Sequence, residues 1–373
     1  MQIKLVDLER QYLRYKNEID SSIQNTISDT NFIQGPEVRA FESELSKFID
    51  IPFCISCGNG TDALQIAMMA CELQENAEII IPAFSYIAPL EAAALLKLKP
   101  VLVDSDPDSF NIDPQKIQPL ITSNTQAIIP VHLFGQACDM VSIKKLTENT
   151  GIKIIEDNAQ SLGSEHILNQ ENIKTGSVGA ISITSFFPSK VLGCFGDGGA
   201  IFTSDNILAQ KIRMIANHGQ REKYQHEIIG INSRLDTLQA AVLSVKLKYL
   251  IRDISKRQKA AQFYNEKFEG VEEIVPPIIS SVNSHVFHQY TLRIKKKRNE
   301  LRKFLEENGI PSMIYYPVPL HLQKAYSYLG YKKGDFPVAE QLTEEVLSLP
   351  MHPDLNPEEL SYIANKLLAF FKA

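Results

Sequence analysis

The sequence has 373 residues, of which 44% are hydrophobic and 22% are charged, a balance typical of a globular protein with room for one large and one smaller domain. Its formal net charge of −6 and its pI near 5.8 argue against a surface built to bind nucleic acid. It contains no run of about 18 apolar residues that would span a membrane. Its first residues lack a signal-peptide pattern, so we expect a cytoplasmic location.

Helix and strand signals alternate along the first two thirds of the chain. Residues 36–49 place apolar side chains at helical spacing, and residues 57–70 run from a glycine-rich turn into another helix. Short apolar runs predict buried strands at 77–82, 99–104, 126–134, 152–158, 179–186 and 199–204, with helices at 85–98 and 139–151. Near-continuous apolar strands that alternate with helices predict an α/β fold, with a mostly parallel sheet covered by helices on both faces.

The pattern changes after about residue 245. A long charged amphipathic helix is followed by an alternating strand, a basic helix and a proline-rich turn, at 249–268, 288–294, 295–308 and 315–321. We therefore predict a large α/β domain over residues 1–245 and a smaller α+β domain over residues 246–373.

The cysteines are odd in number and dispersed, which predicts reduced, mostly buried structural thiols rather than disulfides. They are Cys54, Cys57, Cys71, Cys138 and Cys194. Cys54 and Cys57 form a C-x-x-C pair, but no second pair stands at ligand spacing, so we predict no metal site.

Ligands of open α/β sheets bind beyond the carboxyl ends of the strands, so residues at those positions are candidates for a site. The segment "GNGTDAL" (58–64) predicts a helix start whose free N–H groups suit a phosphate, with Thr61 as N-cap and Asp62 in the first turn. A simple capped helix is the alternative. Asp157 ends a predicted strand, where a carboxylate either caps a helix or favours the protonated form of a heterocyclic nitrogen.

Lys190 interrupts the apolar, aromatic run "TSFFPSK" (184–190), and a glycine-rich stretch follows it. A solvated surface lysine is the ordinary explanation. However, a lysine amine, a phosphate cradle and a carboxylate for a ring nitrogen are the three groups that pyridoxal 5'-phosphate needs, because the amine forms an imine and the protonated ring draws electrons. Ser185 is placed to donate to the phosphate, and Gln160 to a phenolic oxygen or the substrate.

Long motifs in a consistent order extend this pattern over nearly the whole chain. They are "FIQGPEVRAFE" (32–42), "GNGTDAL" (58–64), "FSYIAP" (84–89), "VHLFGQ" (131–136), "EDNAQS" (156–161), "SFFPSKVLG" (185–193), "GDGGAIFT" (196–203), "NHGQ" (217–220), "GINSRLDTLQAAVL" (230–243) and "YYPVPLH" (315–321). With these motifs the chain resembles the DegT/DnrJ/EryC1/StrS family of sugar aminotransferases. The resemblance implies the fold-type-I, aspartate aminotransferase-like architecture and pyridoxal phosphate as cofactor, in its pyridoxamine form during turnover.

The resemblance implies a role for each matching residue of the cofactor site. Lys190 holds the cofactor and moves protons, Asp157 pairs with the pyridine nitrogen, and Gln160 lies near the ring hydroxyl. Tyr86 stacks on the ring, unless it is a tyrosine on the buried face of a helix. The residues expected around the phosphate are Gly60, Thr61, Asp62 and Ser185.

Asn232 matches a residue that reaches the phosphate from the neighbouring subunit, which implies a homodimer with shared active sites; a turn asparagine is the alternative. The residues implied near the substrate are Arg234, His321 and Tyr316. A salt bridge for Arg234 and a buried loop position for His321 are the structural alternatives. We interpret His132 and His218 as structural.

Within the family, the segments around Lys190, residues 217–241 and "LSLPMH" (347–352) resemble aminotransferases that act at C-3 of UDP-linked 2-acetamido-2-deoxy-3-keto sugars, neutral or uronic, in O-antigen and lipopolysaccharide synthesis. That group implies glutamate as amino donor, with 2-oxoglutarate as its product. The form "PLHLQ" around His321 is also common in dTDP-3-keto-6-deoxyhexose aminotransferases, so a dTDP-linked 3-keto- or 4-keto-6-deoxyhexose remains the alternative substrate.

Three other functions fit parts of the sequence less well. A sugar 3-dehydratase of the same fold replaces the lysine with histidine, whereas Lys190 is present. A non-catalytic regulatory homologue is expected to lack Lys190 or Asp157, and both are present. A generic nucleotide-binding α/β protein is disfavoured because no G-x-G-x-x-G follows the first strand.

Overall fold

The computed structural model describes residues 3–168, 170–280 and 283–372. The strands are β1 (Phe53–Cys57), β2 (Glu78–Pro82), β3 (Lys99–Val103), β4 (Thr125–Ile128), β5 (Lys153–Asp157), β6 (Glu165–Leu168), β7 (Glu171–Lys174), β8 (Ile181–Ser185), β9 (Gly199–Thr203), β10 (Gln220–Glu222), β11 (Gln225–His226), β12 (Ile274–Val275), β13 (Tyr290–Ile294) and β14 (Val346–Leu349). The α-helices are α1 (Leu8–Asp29), α2 (Pro36–Ile49), α3 (Gly60–Ala70), α4 (Ala88–Leu95), α5 (Pro114–Ile117), α6 (Met140–Thr147), α7 (Asn206–Ala216), α8 (Thr237–Leu247), α9 (Leu250–Phe268), α10 (Arg298–Glu307), α11 (Pro337–Glu345) and α12 (Pro357–Lys372).

The main sheet has the strand order β1-β9-β8-β5-β4-β2-β3. Neighbouring strands from β8 to β3 are parallel, and β9 runs antiparallel to both β8 and β1. The predicted mostly parallel α/β sheet is therefore confirmed. Because β1, β2, β4, β5 and β8 point the same way, the segments that follow them meet at one edge of the sheet.

Both faces of the sheet are buried, which explains why its strands read as continuous apolar runs. Along β2, Ile79 and Ile81 pack on one face with helix α3, while Ile80 packs on the other face with Ile143 of α6. Alternate side chains thus serve two cores. Among the described residues, no helix is both long and apolar enough to cross a bilayer.

A second, smaller sheet has the order β12-β13-β14 and is antiparallel. The strand predicted over 288–294 corresponds to β13, the central strand of this sheet. Tyr290 and Leu292 on this strand pack with residues of α9, α10 and α12. Ile3 also belongs to this core, so the chain start contacts the C-terminal sheet. The predicted division between residues 245 and 246 falls inside α8 and remains a prediction; the outermost residues of the two predicted domains, Met1 and Ala373, lie outside the described residues.

Several elements differ from the sequence-based expectation. The helix predicted over 85–98 begins at Ala88 and ends at Leu95, so Tyr86 lies in the loop after β2. Helix α1 was not predicted because its buried stripe is narrow, including Tyr15 and Ile19 among mostly polar residues. Four of the five cysteines are buried and all five are free, as expected for structural thiols.

Asp104, just after β3, ties the C-terminal segment to the main sheet. Its buried carboxylate accepts the N–H groups of Val338 and Ala339, at the start of α11, at 3.1 and 2.8 Å. It also accepts the Nζ of Lys116 at 3.1 Å. A carboxylate at a helix N-terminus satisfies free N–H groups and opposes the helix dipole.

We expect Asp104→Ala to loosen α11, because these buried donors lose their acceptor at a cost of about 1–3 kcal/mol each. Hydrogen exchange of residues 337–345 should become faster, and the unfolding midpoint should fall. Asp108→Ala is the control, because Asp108 is exposed and lies in the same loop. Unchanged exchange over α11 in the folded Asp104→Ala protein would contradict this interpretation.

Candidate active site

The carboxyl edge of the main sheet encloses a cavity of about 380 Å³. Segments that follow β1, β2, β4, β5 and β8 contribute to its wall, and the loop before β13 closes another side. The structure thereby brings together side chains that are far apart in the chain. The predicted site residues that line it are Gly60, Thr61, Tyr86, Asp157, Gln160, Ser185, Lys190 and Tyr316.

Asp157 is the last residue of β5, in the interior of the sheet, and is 5% exposed. Burial raises the pKa of its carboxyl, while the N–H of Ala159 and the amine of Lys190 oppose that rise. Its Oδ1 accepts the Ala159 N–H at 3.0 Å, and within the described chain its Oδ2 has no hydrogen-bond donor. The carboxylate is therefore short of positive partners and suits a cationic ring nitrogen.

Lys190 is partly buried in the loop after β8, and its backbone N–H donates to Phe187 O at 2.8 Å. Burial lowers the pKa of its amine to about 8, and Asp157 opposes that shift. Its Nζ forms no hydrogen bond or ion pair with any other described residue. The lowered pKa gives this amine a larger neutral fraction near neutral pH than an ordinary lysine has, and a neutral amine at the wall of a cavity has the properties of a nucleophile or a general base.

Gln160 and the aromatic residues form another wall of the cavity. Gln160 Oε1 accepts the N–H of Phe134 at 2.7 Å, and its Nε2 donates to the hydroxyl of Tyr316 at 3.1 Å. The amide is thus fixed at both ends, and its second N–H hydrogen stays available. Tyr86 is 53% exposed, with its ring 6.0 Å from that of Tyr316, which excludes the alternative of a core tyrosine.

The start of α3 faces Ser185. The N-cap is Asn59 rather than the predicted Thr61, because the Asn59 Oδ1 accepts the N–H of Asp62 at 2.8 Å. Within the described residues the N–H groups of Gly60 and Thr61 have no acceptor, so they remain for an anion. A Cβ on Gly60 would lie 2.8 Å from the Cβ of Ser185, so only glycine fits this approach.

Beneath the cavity, Glu156 and His132 form a fully buried pair. His132 Nε2 lies 3.0 Å from Glu156 Oε2, and its Nδ1 accepts the N–H of Cys138 at 3.0 Å. Burial alone would raise the pKa of Glu156, but the hydrogen bonds from His132, Gly179 and Gly176 hold it below its usual value. This arrangement agrees with the structural interpretation of His132.

Four predicted site residues do not line this cavity, and their roles remain predictions. Asp62 accepts the hydroxyl of Ser233 at 2.6 Å, and Asn232 is exposed beyond the β10–β11 hairpin. Arg234 lines a separate hollow of about 470 Å³. His321 is 2% exposed with its Nε2 3.1 Å from Glu340, which favours the buried-loop alternative in the isolated chain.

Sequence reasoning missed other residues of the wall, notably Ser189, His288, Gln289 and Tyr315. His288 is 6% exposed, and its Nδ1 lacks a hydrogen-bond partner. Burial, with nearby cations, holds its pKa well below the usual value, so the ring is neutral. In the sequence, His288 is the first residue of the predicted strand 288–294. The pattern of that strand does not indicate that this residue lies at a cavity.

The family model for the DegT/DnrJ/EryC1/StrS aminotransferase family matches residues 14–368. The chain belongs to this family. Enzymes of the family depend on pyridoxal phosphate, so the expected aminotransferase activity and cofactor are confirmed.

The chain is 43% identical to the UDP-2-acetamido-2-deoxy-3-oxo-D-glucuronate aminotransferase of Pseudomonas aeruginosa, over 98% of this chain and 99% of the relative. It is 42% identical to the pleiotropic regulatory protein of Geobacillus stearothermophilus, over 100% and 99% of the two chains. Among solved structures, DesV of S. venezuelae in complex with a ketimine intermediate matches with a TM-score of 0.96 and 34% identity, covering 100% of this chain and 99% of that one. The predicted fold-type architecture is confirmed.

The cavity fits pyridoxal phosphate by its own chemistry. A carboxylate without a cation, a weakly basic amine and a helix start with free N–H groups are the three groups that the cofactor requires. They lie on the wall of one cavity, at Asp157, Lys190 and Gly60.

The rate at which the cofactor-free protein covalently captures pyridoxal phosphate should rise with pH and level off above about pH 8. The reason is that the neutral amine is the nucleophile and the pKa of Lys190 is about 8, whereas an ordinary lysine would level off near about 10.4. Borohydride reduction at timed intervals, followed by intact mass, measures the capture. Lys190→Ala should abolish it, and persistent stoichiometric capture by that variant would assign the role to another lysine.

Proposed function

We propose that this enzyme transfers the amino group of L-glutamate to C-3 of a UDP-linked 2-acetamido-2-deoxy-3-keto-hexose or -hexuronate. The observation that carries the proposal is the 43% identity to the Pseudomonas aeruginosa aminotransferase over nearly the full length of both chains. The motif resemblance around Lys190 and residues 217–241 supports the same substrate group and a place in O-antigen or lipopolysaccharide sugar synthesis.

The residues of the cavity divide the work between binding and proton transfer. When bound, pyridoxal phosphate supplies an electron sink that stabilises the negative charge left as a proton leaves the carbon bearing the amino group. Asp157 keeps the ring nitrogen protonated, because a buried carboxylate lowers the free energy of a neighbouring cation. Gln160 would use its free N–H hydrogen to hold the ring hydroxyl, and Tyr86 would stack on the ring, since both residues line the cavity.

The residues at the start of α3 would hold the phosphate. The N–H groups of Gly60 and Thr61 are free to donate, and the positive end of the helix dipole favours an anion there. Ser185 Oγ accepts the N–H of Phe187 at 3.3 Å, which leaves its hydroxyl proton for the phosphate. Asp62 supports this turn indirectly, through its contact with Ser233.

Lys190 moves the proton in both half-reactions. Its Nζ would take the proton from the α-carbon of glutamate and deliver it to the cofactor's aldehyde-derived carbon in the first half-reaction. In the second half-reaction it would take a proton from that carbon and deliver it to C-3 of the sugar. A base that works near neutral pH needs a pKa close to that pH, and burial provides it. Arginine could not replace this lysine, because its guanidinium stays protonated.

The enzyme works as a homodimer in which each subunit completes the partner's site. Asn232 is exposed, and neither it nor Arg234 lines the cavity of its own chain. Ile229, in the same segment, is 85% exposed, and Phe187 at the cavity is 52% exposed. Large apolar side chains exposed around a site are typical of a surface that another chain covers.

The substrate assignment predicts which amino sugar is accepted in the reverse reaction. With 2-oxoglutarate as acceptor, UDP-linked 3-amino sugars should give glutamate, measured by a coupled glutamate assay. The neutral and uronic forms should be compared in parallel. Faster turnover of a dTDP-linked 3- or 4-amino-6-deoxy sugar would favour the alternative substrate and leave the aminotransferase assignment intact.

The shared-site proposal predicts complementation between inactive chains. Lys190→Ala and Asn232→Ala chains, mixed under subunit exchange, should regain up to about a quarter of wild-type activity, because half of the dimers are mixed and one site in each is intact. Lys190→Ala mixed with Asp157→Asn is the control: both lesions affect the cavity of their own chain, so no activity should return. Equal results from the two mixtures would refute the cross-subunit role of Asn232.

A further inference from the structure

A second buried lysine lies behind the loop that carries Lys190. Lys246, on α8, is 4% exposed, and burial lowers the pKa of its amine to about 8 against the raising effects of Cys194 and Asp253. Its properties thus resemble those of Lys190. It does not line the cavity, however, and its Nζ donates to the carbonyl oxygen of Gly193 at 2.6 Å.

The carbonyl that Lys246 binds belongs to a tight bend three residues after Lys190. A Cβ on Gly193 would lie 2.3 Å from Pro188 O, so the backbone folds back on itself there and only glycine fits. The N–H of Cys194 donates to Phe186 O at 2.8 Å, which closes the bend. Holding the Gly193 carbonyl therefore fixes the whole bend from which the Lys190 side chain projects.

Helix α8 holds the same loop at a second point. Gln239 Oε1 accepts the N–H of Phe195 at 2.8 Å, and the Lys246 ammonium lies 4.6 Å from the centre of the Phe195 ring. Two side chains of one helix, separated by about two turns, thus hold consecutive peptide groups of the loop. A lysine buried with one carbonyl and one aromatic face regains only part of its lost hydration. A methionine would fill similar space without that cost, so filling space does not account for the lysine.

We infer that Lys246, with Gln239, is a positioning residue for Lys190: it holds the Gly193 bend so that the Lys190 amine stays at the cavity wall and away from water. The inference rests on the role of Lys190 under the proposed function. Loosening the bend lets water reach Lys190, and a better hydrated amine recovers a higher pKa.

The test is the pH dependence of covalent capture of pyridoxal phosphate by cofactor-free protein, followed by borohydride reduction and intact mass. In Lys246→Met the midpoint should move to higher pH. Each unit of that shift lowers the neutral fraction of the amine about tenfold at a pH below the midpoint, and the capture rate falls with it. Lys248→Met is the matched control, because Lys248 lies at the end of the same helix with an exposed side chain near Glu18. It should capture the cofactor like the wild type.

The variants separate the possible results. If folded Lys246→Met has a lower melting temperature but an unchanged pH midpoint of cofactor capture, Lys246 has only a structural role, and the inference is overturned. If Lys246→Met does not fold, Gln239→Leu decides, with a shift in the same direction expected and no shift overturning the inference. Stoichiometric capture by Lys190→Ala would instead overturn the role of Lys190, which is a separate failure.

Discussion

The site depends on a carboxylate that is buried without a cation of its own. Asp157 ends an interior strand of the main sheet, where water is excluded and burial raises its pKa. Lys190 contributes its amine to the same cavity, but the two do not form an ion pair among the described contacts, and burial moves each pKa towards neutrality. A ligand that places a positively charged ring nitrogen beside Asp157 and an electrophilic carbon beside Lys190 provides each group with the partner that it lacks.

The fold produces this arrangement because the carboxyl ends of its parallel strands lie at the same edge of the sheet. Six of the seven strands of the main sheet point to one edge, and the segments that follow five of them face a common space. Adjacent residues on β5 serve opposite purposes, since Asp157 faces the cavity while Glu156 binds His132 and the backbone N–H of Gly176. The hydrogen bonds of Glu156 fix the strand end, and so fix the carboxylate beside it.

On another wall of the cavity, Arg257 donates to Phe287 O and Met351 O at 3.1 and 2.9 Å, which holds the segment that carries His288.

The sequence predicted those features of the fold and the site that depend on local apolar patterns and on the order of the strands. Apolar runs gave the sheet, and residues placed after those runs, such as Asp157 and Lys190, came together at its edge. It failed for His288, which has the pattern of an ordinary strand residue, because the segments it meets at the cavity are distant in the chain. The N-cap of α3 is a local error: it is Asn59 rather than Thr61, because the helix begins earlier than the apolar periodicity suggests. The substrate prediction came from family resemblance alone, since neither periodicity nor spacing distinguishes a UDP from a dTDP group.

Lys190 and Lys246 show what separates a functional amine from a supporting one when burial lowers both pKa values alike. Both amines have a pKa lowered to about 8 by burial. The amine of Lys246 is committed to a carbonyl at 2.6 Å and an aromatic face, so no lone pair is directed at a cavity. The amine of Lys190 has no such partner in the described chain and faces the space where a carbonyl carbon can approach. A lowered pKa is therefore common to both lysines and does not by itself identify the catalytic one. The two roles are distinguished by whether the amine already has a hydrogen-bond partner and whether it faces the cavity.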